Sequence, residues 1–245
     1  MPLLDSDIIS AKLYSNSGED RDGYNTKWSE LKKIIMGLEE NKITDIDGIL
    51  MQYMYIKRAQ NKEYISEKGS VNVATPGIRR YYTETNQQLL ESPLKLTAQL
   101  LKVSKIKDYS IIELCSKFNE NLKLYLISYL FRFEVDEITE NLVTEFLENL
   151  LRLFSILELV DLGYSSSKFK TFLFGLNTKL VDKNISLSEI KQEINRHIND
   201  GWERKKIEDA VRNYTKNSLV FLNEYLSCKE NNQKFILSAK YEIEH

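Results

Sequence analysis

The chain has 245 residues, with 34 Lys+Arg against 36 Asp+Glu, 2 His and a formal net charge of −2. Nine Gly and three Pro are far below the roughly 12% of average usage, which excludes a collagenous or Gly/Pro-rich disordered chain and disfavours a turn-rich β-sandwich. The 42% of hydrophobic residues is enough for a core, and the near-neutral charge excludes a globally basic nucleic-acid coat.

Asp5-Ser6-Asp7 offers N-cap candidates for a first short helix through Ile8, Ile9, Leu13 and Tyr14. Polar Ser15 to Tyr24, with Gly18 and Gly23, reads as a loop. From Thr26 to Glu40 the apolar residues Trp28, Leu31, Ile34, Ile35 and Leu38 recur at helical steps. Thr44 or Asp45 caps the next helix. Lys62 to Pro76 reads as a long loop, and a helix restarts after Pro76 with Arg79-Arg80-Tyr81-Tyr82, an exposed-looking basic–aromatic cluster.

Ser92-Pro93 opens another helix, with proline at its first position. Ser110-x-x-Glu113 fits a capping box before Leu114 to Leu130, with a break near Asn119–Asn121. Thr139 to Leu162 is the most apolar segment and is expected to be central and buried. Ser165–Ser167 caps the following helix. Ser186 or Ser188 caps the one after, which Gly201 ends. Lys205 to Tyr214 and Leu219 to Asn231 are two more. From Lys234 to His245 the apolar residues alternate, a strand-like pattern. The expected fold is mostly α: about ten helices in an irregular orthogonal bundle, with a short extended C-terminal tail.

Common catalytic signatures are missing. There is no G-x-x-x-x-G-K-[ST], no G-x-G-x-x-G, no H-E-x-x-H and no paired C-x-x-C. Cys115 and Cys228 make no disulfide or metal framework, so a reducing cytoplasm is expected. No apolar run is long enough for a membrane span. His197 sits in a polar helical turn and reads as a surface or hydrogen-bonded histidine. Asp182 with Glu189-x-Lys191 loosely matches a carboxylate–lysine nuclease core, a spacing that arises often by chance. Glu39/Glu40 and Asp136/Glu137 read as solvated pairs.

Charge is uneven. Glu134 to Asp161 holds eight acids and one base, whereas Lys191 to Lys216 holds seven bases and five acids. An acidic helix repels phosphates. The DNA-binding candidates are therefore Arg79 and Arg80, and Arg204, Lys205 and Lys206.

The ends carry the sharpest motifs. Tyr241-Glu242-Ile243-Glu244-His245 places an acid beside a histidine at the end of a strand-like segment. Such a pair can supply a metal ligand and a general base for phosphodiester hydrolysis. The segment, with the preceding Leu219 to Leu226 helix, resembles the opening of the HNH nuclease domain of GmrSD-like restriction endonucleases. Met1-Pro2-Leu3-Leu4-Asp5-Ser6-Asp7-Ile8-Ile9 resembles the end of that family's ParB/sulfiredoxin-like nucleotide domain. The resemblance divides the chain into 1–23 (end of the nucleotide domain and linker), 24–232 (helical domain) and 233–245 (start of the nuclease domain).

It implies a full-length, nucleoside-triphosphate-dependent HNH endonuclease acting on modified foreign DNA in phage defence. His245 would match the general base and Glu244 a metal ligand. The Gln-Gln-Arg nucleotide motif and the rest of the HNH motif are missing here. The fragment is thus expected to be inactive alone and to hold no cofactor, while the full protein would use a nucleoside triphosphate and a divalent metal. Its partners would be the flanking domains of the same protein, together with DNA, and no membrane. The alternative is a free-standing helical protein-interaction scaffold.

Overall fold

The computed structural model describes residues 4–40, 43–63, 77–84, 93–118, 121–160, 166–213 and 217–236. These hold twelve α-helices and no strand: α1 Asp5–Asn16, α2 Arg21–Glu40, α3 Ile46–Gln60, α4 Ile78–Glu84, α5 Thr97–Ile106, α6 Ser110–Phe118, α7 Asn121–Leu130, α8 Glu140–Val160, α9 Ser166–Val181, α10 Leu187–Gly201, α11 Arg204–Arg212 and α12 Asn217–Glu230. Two short 3-10 turns, Pro93–Leu96 and Val135–Glu137, lead towards α5 and α8. The molecule is a mostly-α multi-helix bundle. The stretches 64–76 and 237–245 lie outside the described residues, and with them most of the expected long loop and of the strand-like tail.

Local chemistry explains several helix starts. Asp45 caps α3 by accepting from the Gly48 N–H at 2.6 Å. Ser186 caps α10, and Glu189 reaches back to the Ser186 N–H at 2.8 Å, a reciprocal capping box. Gly201 ends α10 as expected, with Trp202 at the C-cap.

Other boundaries differ from the sequence reading. Asp5, Ser6 and Asp7 lie inside α1, and the Asp7 carboxylate accepts from the Leu4 N–H at 3.2 Å. The expected loop Ser15 to Tyr24 shrinks to a turn at Gly18, whose φ of +61° suits a residue without Cβ. α2 then starts at Arg21, and Gly23 lies inside its first turn. A Cβ there would sit 2.1 Å from an Asp20 carboxylate oxygen, so glycine lets that carboxylate fold over the open helix end. Ser110 does not cap α6. It is the first helical residue, and its hydroxyl donates to the carbonyl of Phe235 at 3.1 Å.

Packing centres on two helices. α8 packs against α6, α7, α10 and α11, in line with its apolar sequence. α3 is the second centre, set against α1, α4, α7 and α9. Ten of its fifteen residues are buried, among them Lys57 and Arg58. The Lys57 ammonium lies 5.6 Å from the centre of the Tyr53 ring, and the Arg58 guanidinium is 4.0 Å from Glu63, so neither charge is buried without compensation. α7 joins the two centres. Between α3 and α7, buried Ser128 donates to Gln52 at 3.3 Å. At the end of α7, Arg132 donates to the carbonyls of Lys179 (3.3 Å) and Ile185, which pins the turn between α9 and α10.

α1 docks on α2 through an aromatic ladder. The Tyr14 and Tyr24 rings meet edge to face at 6.1 Å, Tyr24 stacks on Trp28 at 5.9 Å, and the Tyr24 hydroxyl donates to the Ser10 carbonyl at 3.2 Å.

Candidate functional site

The root of the C-terminal segment is built from α12, α6 and α8. Asn232 takes φ +53°, and the Gln233 N–H returns to the Cys228 carbonyl at 2.7 Å, closing α12 in a left-handed C-terminal turn. The reversal brings Phe235 back against the Tyr225 ring, edge to face at 5.8 Å, where it is 2% exposed. The Ser110 hydroxyl holds the Phe235 carbonyl from α6. On the α8 side, the Glu148 carboxylate accepts from the Tyr225 hydroxyl at 2.8 Å and from the Lys229 ammonium at 2.5 Å. Burial, reinforced by the Glu148 carboxylate, pushes the Tyr225 phenol above its ordinary range. Glu244 and His245, the acid and base of the resemblance, lie outside the described residues.

The two basic candidates sit apart. α4 packs on α1 and α3, whereas α11 packs on α8. Arg79 and Arg80 are exposed, and Arg80 pairs with Glu84 at 2.8 Å one turn along. The expected basic–aromatic surface is corrected here. Tyr81 is 3% and Tyr82 1% exposed, and Tyr82 donates to the Leu50 carbonyl at 2.7 Å. Both rings face the core because α4 is a short amphipathic helix whose inner face they fill. Burial pushes Tyr81 up to about 12 and Tyr82 well above the ordinary phenol value. Arg204, Lys205 and Lys206 are exposed at the start of α11, and Arg204 pairs with Glu208 at 2.8 Å.

The loose carboxylate–lysine spacing does not assemble. Glu189 is folded back on Ser186, which holds its carboxyl below the usual range by backbone and hydroxyl hydrogen bonds. Asp182 accepts from the Asn184 N–H at 2.9 Å, and Lys191 turns to Glu145 at 3.8 Å. His197 stacks on Phe172 at 3.8 Å and meets Trp202 edge to face at 5.8 Å. Burial lowers its pKa, while Asp200 and Glu193 oppose that shift. Among the described residues no three His, Cys, Asp or Glu side chains gather as a metal-ligand set. Both cysteines are buried thiols outside any disulfide.

One concave feature has no counterpart in the sequence reading. A cleft of about 260 Å³ opens between α8 and α10. Its floor is Phe146 stacked on Tyr129 at 4.0 Å, with Ile190 and Ile194, and the Glu145–Lys191 pair lies on its rim. An apolar floor with an acid and a base at its edge is a lining of the kind small-molecule sites use, in a cleft just below their usual size. No single-segment pattern marks it, because its walls come from three helices. Among the described residues no helix is long and apolar enough to cross a membrane.

Compared with known proteins, the chain matches no family model, no curated protein and no solved structure.

Proposed function

We propose that this chain is the helical connecting region of a nucleotide-dependent DNA restriction endonuclease of the GmrSD-like kind, acting on modified foreign DNA. Nucleotide and nuclease chemistry would belong to flanking domains of the same protein. The reading rests first on the motifs at the two ends. The structural observation that supports it is a continuous packed route between those ends. α1 packs on α3, α3 on α7 and α7 on α8, and Glu148 of α8 holds α12 just ahead of the Phe235 anchor. A connector must pass a displacement at one end to the other, and close-packed helices do so because they resist compression.

On this reading His245 is the general base and Glu244 an acid beside it, both completed by residues downstream. The bundle's own contribution is mechanical. It fixes where the segment carrying that pair leaves the protein. The nucleotide and the divalent metal are assigned to the flanking domains, and no step of the bundle depends on them.

The test is the native mass by immunoblot, followed by a cleavage assay on the full-length protein. A band far above 28.7 kDa, with nucleotide-dependent cleavage of modified DNA, is expected. A band at 28.7 kDa would sink the reading. A free-standing interaction scaffold would then take its place, and the α8/α10 cleft is the observation that favours it.

A further inference from the structure

We propose that the outer face of the α2/α5 pair is a docking surface for the phosphate backbone of duplex DNA. The proposal rests on the DNA reading above and moves the contact away from α4 and α11. From Pro93 to Lys107 the chain carries Lys95, Lys102, Lys105 and Lys107 and not one acid. α5 turns Leu100, Val103 and Ile106 into the core, which leaves Lys105 exposed and Lys102 half-buried. α2, packed closely along it, exposes Lys32 and Lys33 away from its buried stripe of Leu31, Ile35 and Leu38, and it also exposes Glu30 between them and Lys27, with Glu39 and Glu40 at its far end. Lys32, Lys33, Lys102 and Lys105 form no ion pair with any described residue.

The other basic candidates are worse placed. Arg80 and Arg204 each lie against a carboxylate one turn along their own helix. α11 also carries Glu208 and Asp209, and it sits on α8, which lies in the most acidic stretch of the chain. A polyanion approaching α11 would meet that field, whereas α5 carries no acid and is the cationic half of the α2/α5 surface, with the carboxylates of α2 limiting the contact on the other half. The acidic turn Val135–Glu137 borders α5 and bounds the surface on that side. Within it, Glu137 folds back onto the Glu134 N–H and Glu134 pairs with Lys183.

Duplex DNA suits this surface because it carries a dense line of charge, about one per 1.7 Å of axis, so lysines on two adjoining helices can neutralise several phosphates together. A lipid surface suits it less. Membrane-binding helices present a broad apolar face, and here the apolar stripes of α2 and α5 are turned into the core.

The test is fluorescence anisotropy of the 245-residue chain with a labelled duplex of about 20 base pairs at about 50 mM salt. The variant is Lys32→Glu/Lys33→Glu/Lys102→Glu/Lys105→Glu, with folding checked by circular dichroism. The wild type should bind, and the variant should lose affinity by at least about tenfold. The log–log salt slope should fall by about 0.9 for each phosphate that a lysine no longer neutralises. If the variant unfolds, Lys→Gln at the same four positions replaces it, with a smaller drop in the same direction.

Unchanged binding in the folded variant, with weaker binding by Arg204→Ala/Lys205→Ala/Lys206→Ala, overturns this surface and leaves DNA contact standing. Silence of the wild type with DNA, or binding only to phosphatidylserine vesicles, also overturns it. The connecting role would then still be decided separately, by the native mass.

Discussion

The Tyr225 hydroxyl donates to the Glu148 carboxylate at 2.8 Å, joining α12 to α8 across 77 positions of sequence. Lys229 reaches the same oxygen at 2.5 Å, so one carboxylate holds two side chains a helical turn apart. Tyr225→Phe should cost about 1.5–3 kcal/mol, the worth of a hydrogen bond to a charged acceptor. Glu148→Gln should cost less than Glu148→Ala, because the amide oxygen can still accept from Tyr225. Urea denaturation of the three variants checks the order.

Phe235 is the plug at the exit of α12. Phe235→Ala should cost about 3 kcal/mol, lost transfer energy and cavity together. Hydrogen exchange should then speed up across 228–236 while α3 stays protected. Asn232→Gly should be neutral or slightly stabilising, since φ +53° costs glycine nothing, and Asn232→Val should destabilise. A uniform rise in exchange over the whole chain would show that the plug is not local.

Arg132 spans two elements with one guanidinium. Arg132→Met keeps much of the stem but removes the donor to the Ile185 carbonyl, whereas the Lys179 carbonyl keeps the Asp182 N–H at 3.2 Å. A drop of about 1–2 kcal/mol is expected, the cost of one part-buried acceptor left without its donor. Ser186→Ala should cost about 1 kcal/mol. The clamp and the cap hold the two sides of one peptide unit, Ile185–Ser186, so the double variant should depart from the sum, and chemical denaturation gives all three numbers.

Alkaline pH should weaken the fold. Burial raises the phenols of Tyr81, Tyr82, Tyr125, Tyr129 and Tyr225, with Tyr81 pushed up to about 12. In the unfolded chain these groups ionise near 10.0. Above that pH the folded state holds more protons than the unfolded one, so stability falls as pH rises. The contribution is fully present below about pH 10 and disappears as pH climbs through the folded values. Tyrosinate absorbance in a pH titration should lag in the native protein and appear together with unfolding. Glu189 acts at the opposite end. Its carboxyl is held low, so the capping box contributes fully above the ordinary glutamate value and that contribution is lost as pH falls from there through the lowered folded value.

Much of the helical framework was legible in the residues themselves. Apolar spacing marks most of the helices, the polar Ser186/Ser188 pair marks the start of α10, where Ser186 proves to be the cap, and the apolar run through α8 marks a central helix. These are short-range properties, because a helix repeats about every 3.6 residues and its caps lie within one turn. The capping-box motif read at Ser110 misled. Its hydroxyl has a long-range partner, the Phe235 carbonyl, and no local rule anticipates that competition.

Which face of each helix is buried was decided only in three dimensions. Tyr81 and Tyr82 looked like an exposed aromatic pair beside two arginines, yet α1 and α3 cover them. Lys57 and Arg58 are polar by composition and buried by packing, because the Tyr53 ring and Glu63 are near enough to offset the removal of water. The Glu148–Tyr225–Lys229 junction, the Arg132 clamp and the α8/α10 cleft each join residues from different helices. Local pattern determined the helices. Their mutual packing determined the burial, the junctions and the surfaces left for a partner, since those depend on contacts between segments far apart in sequence.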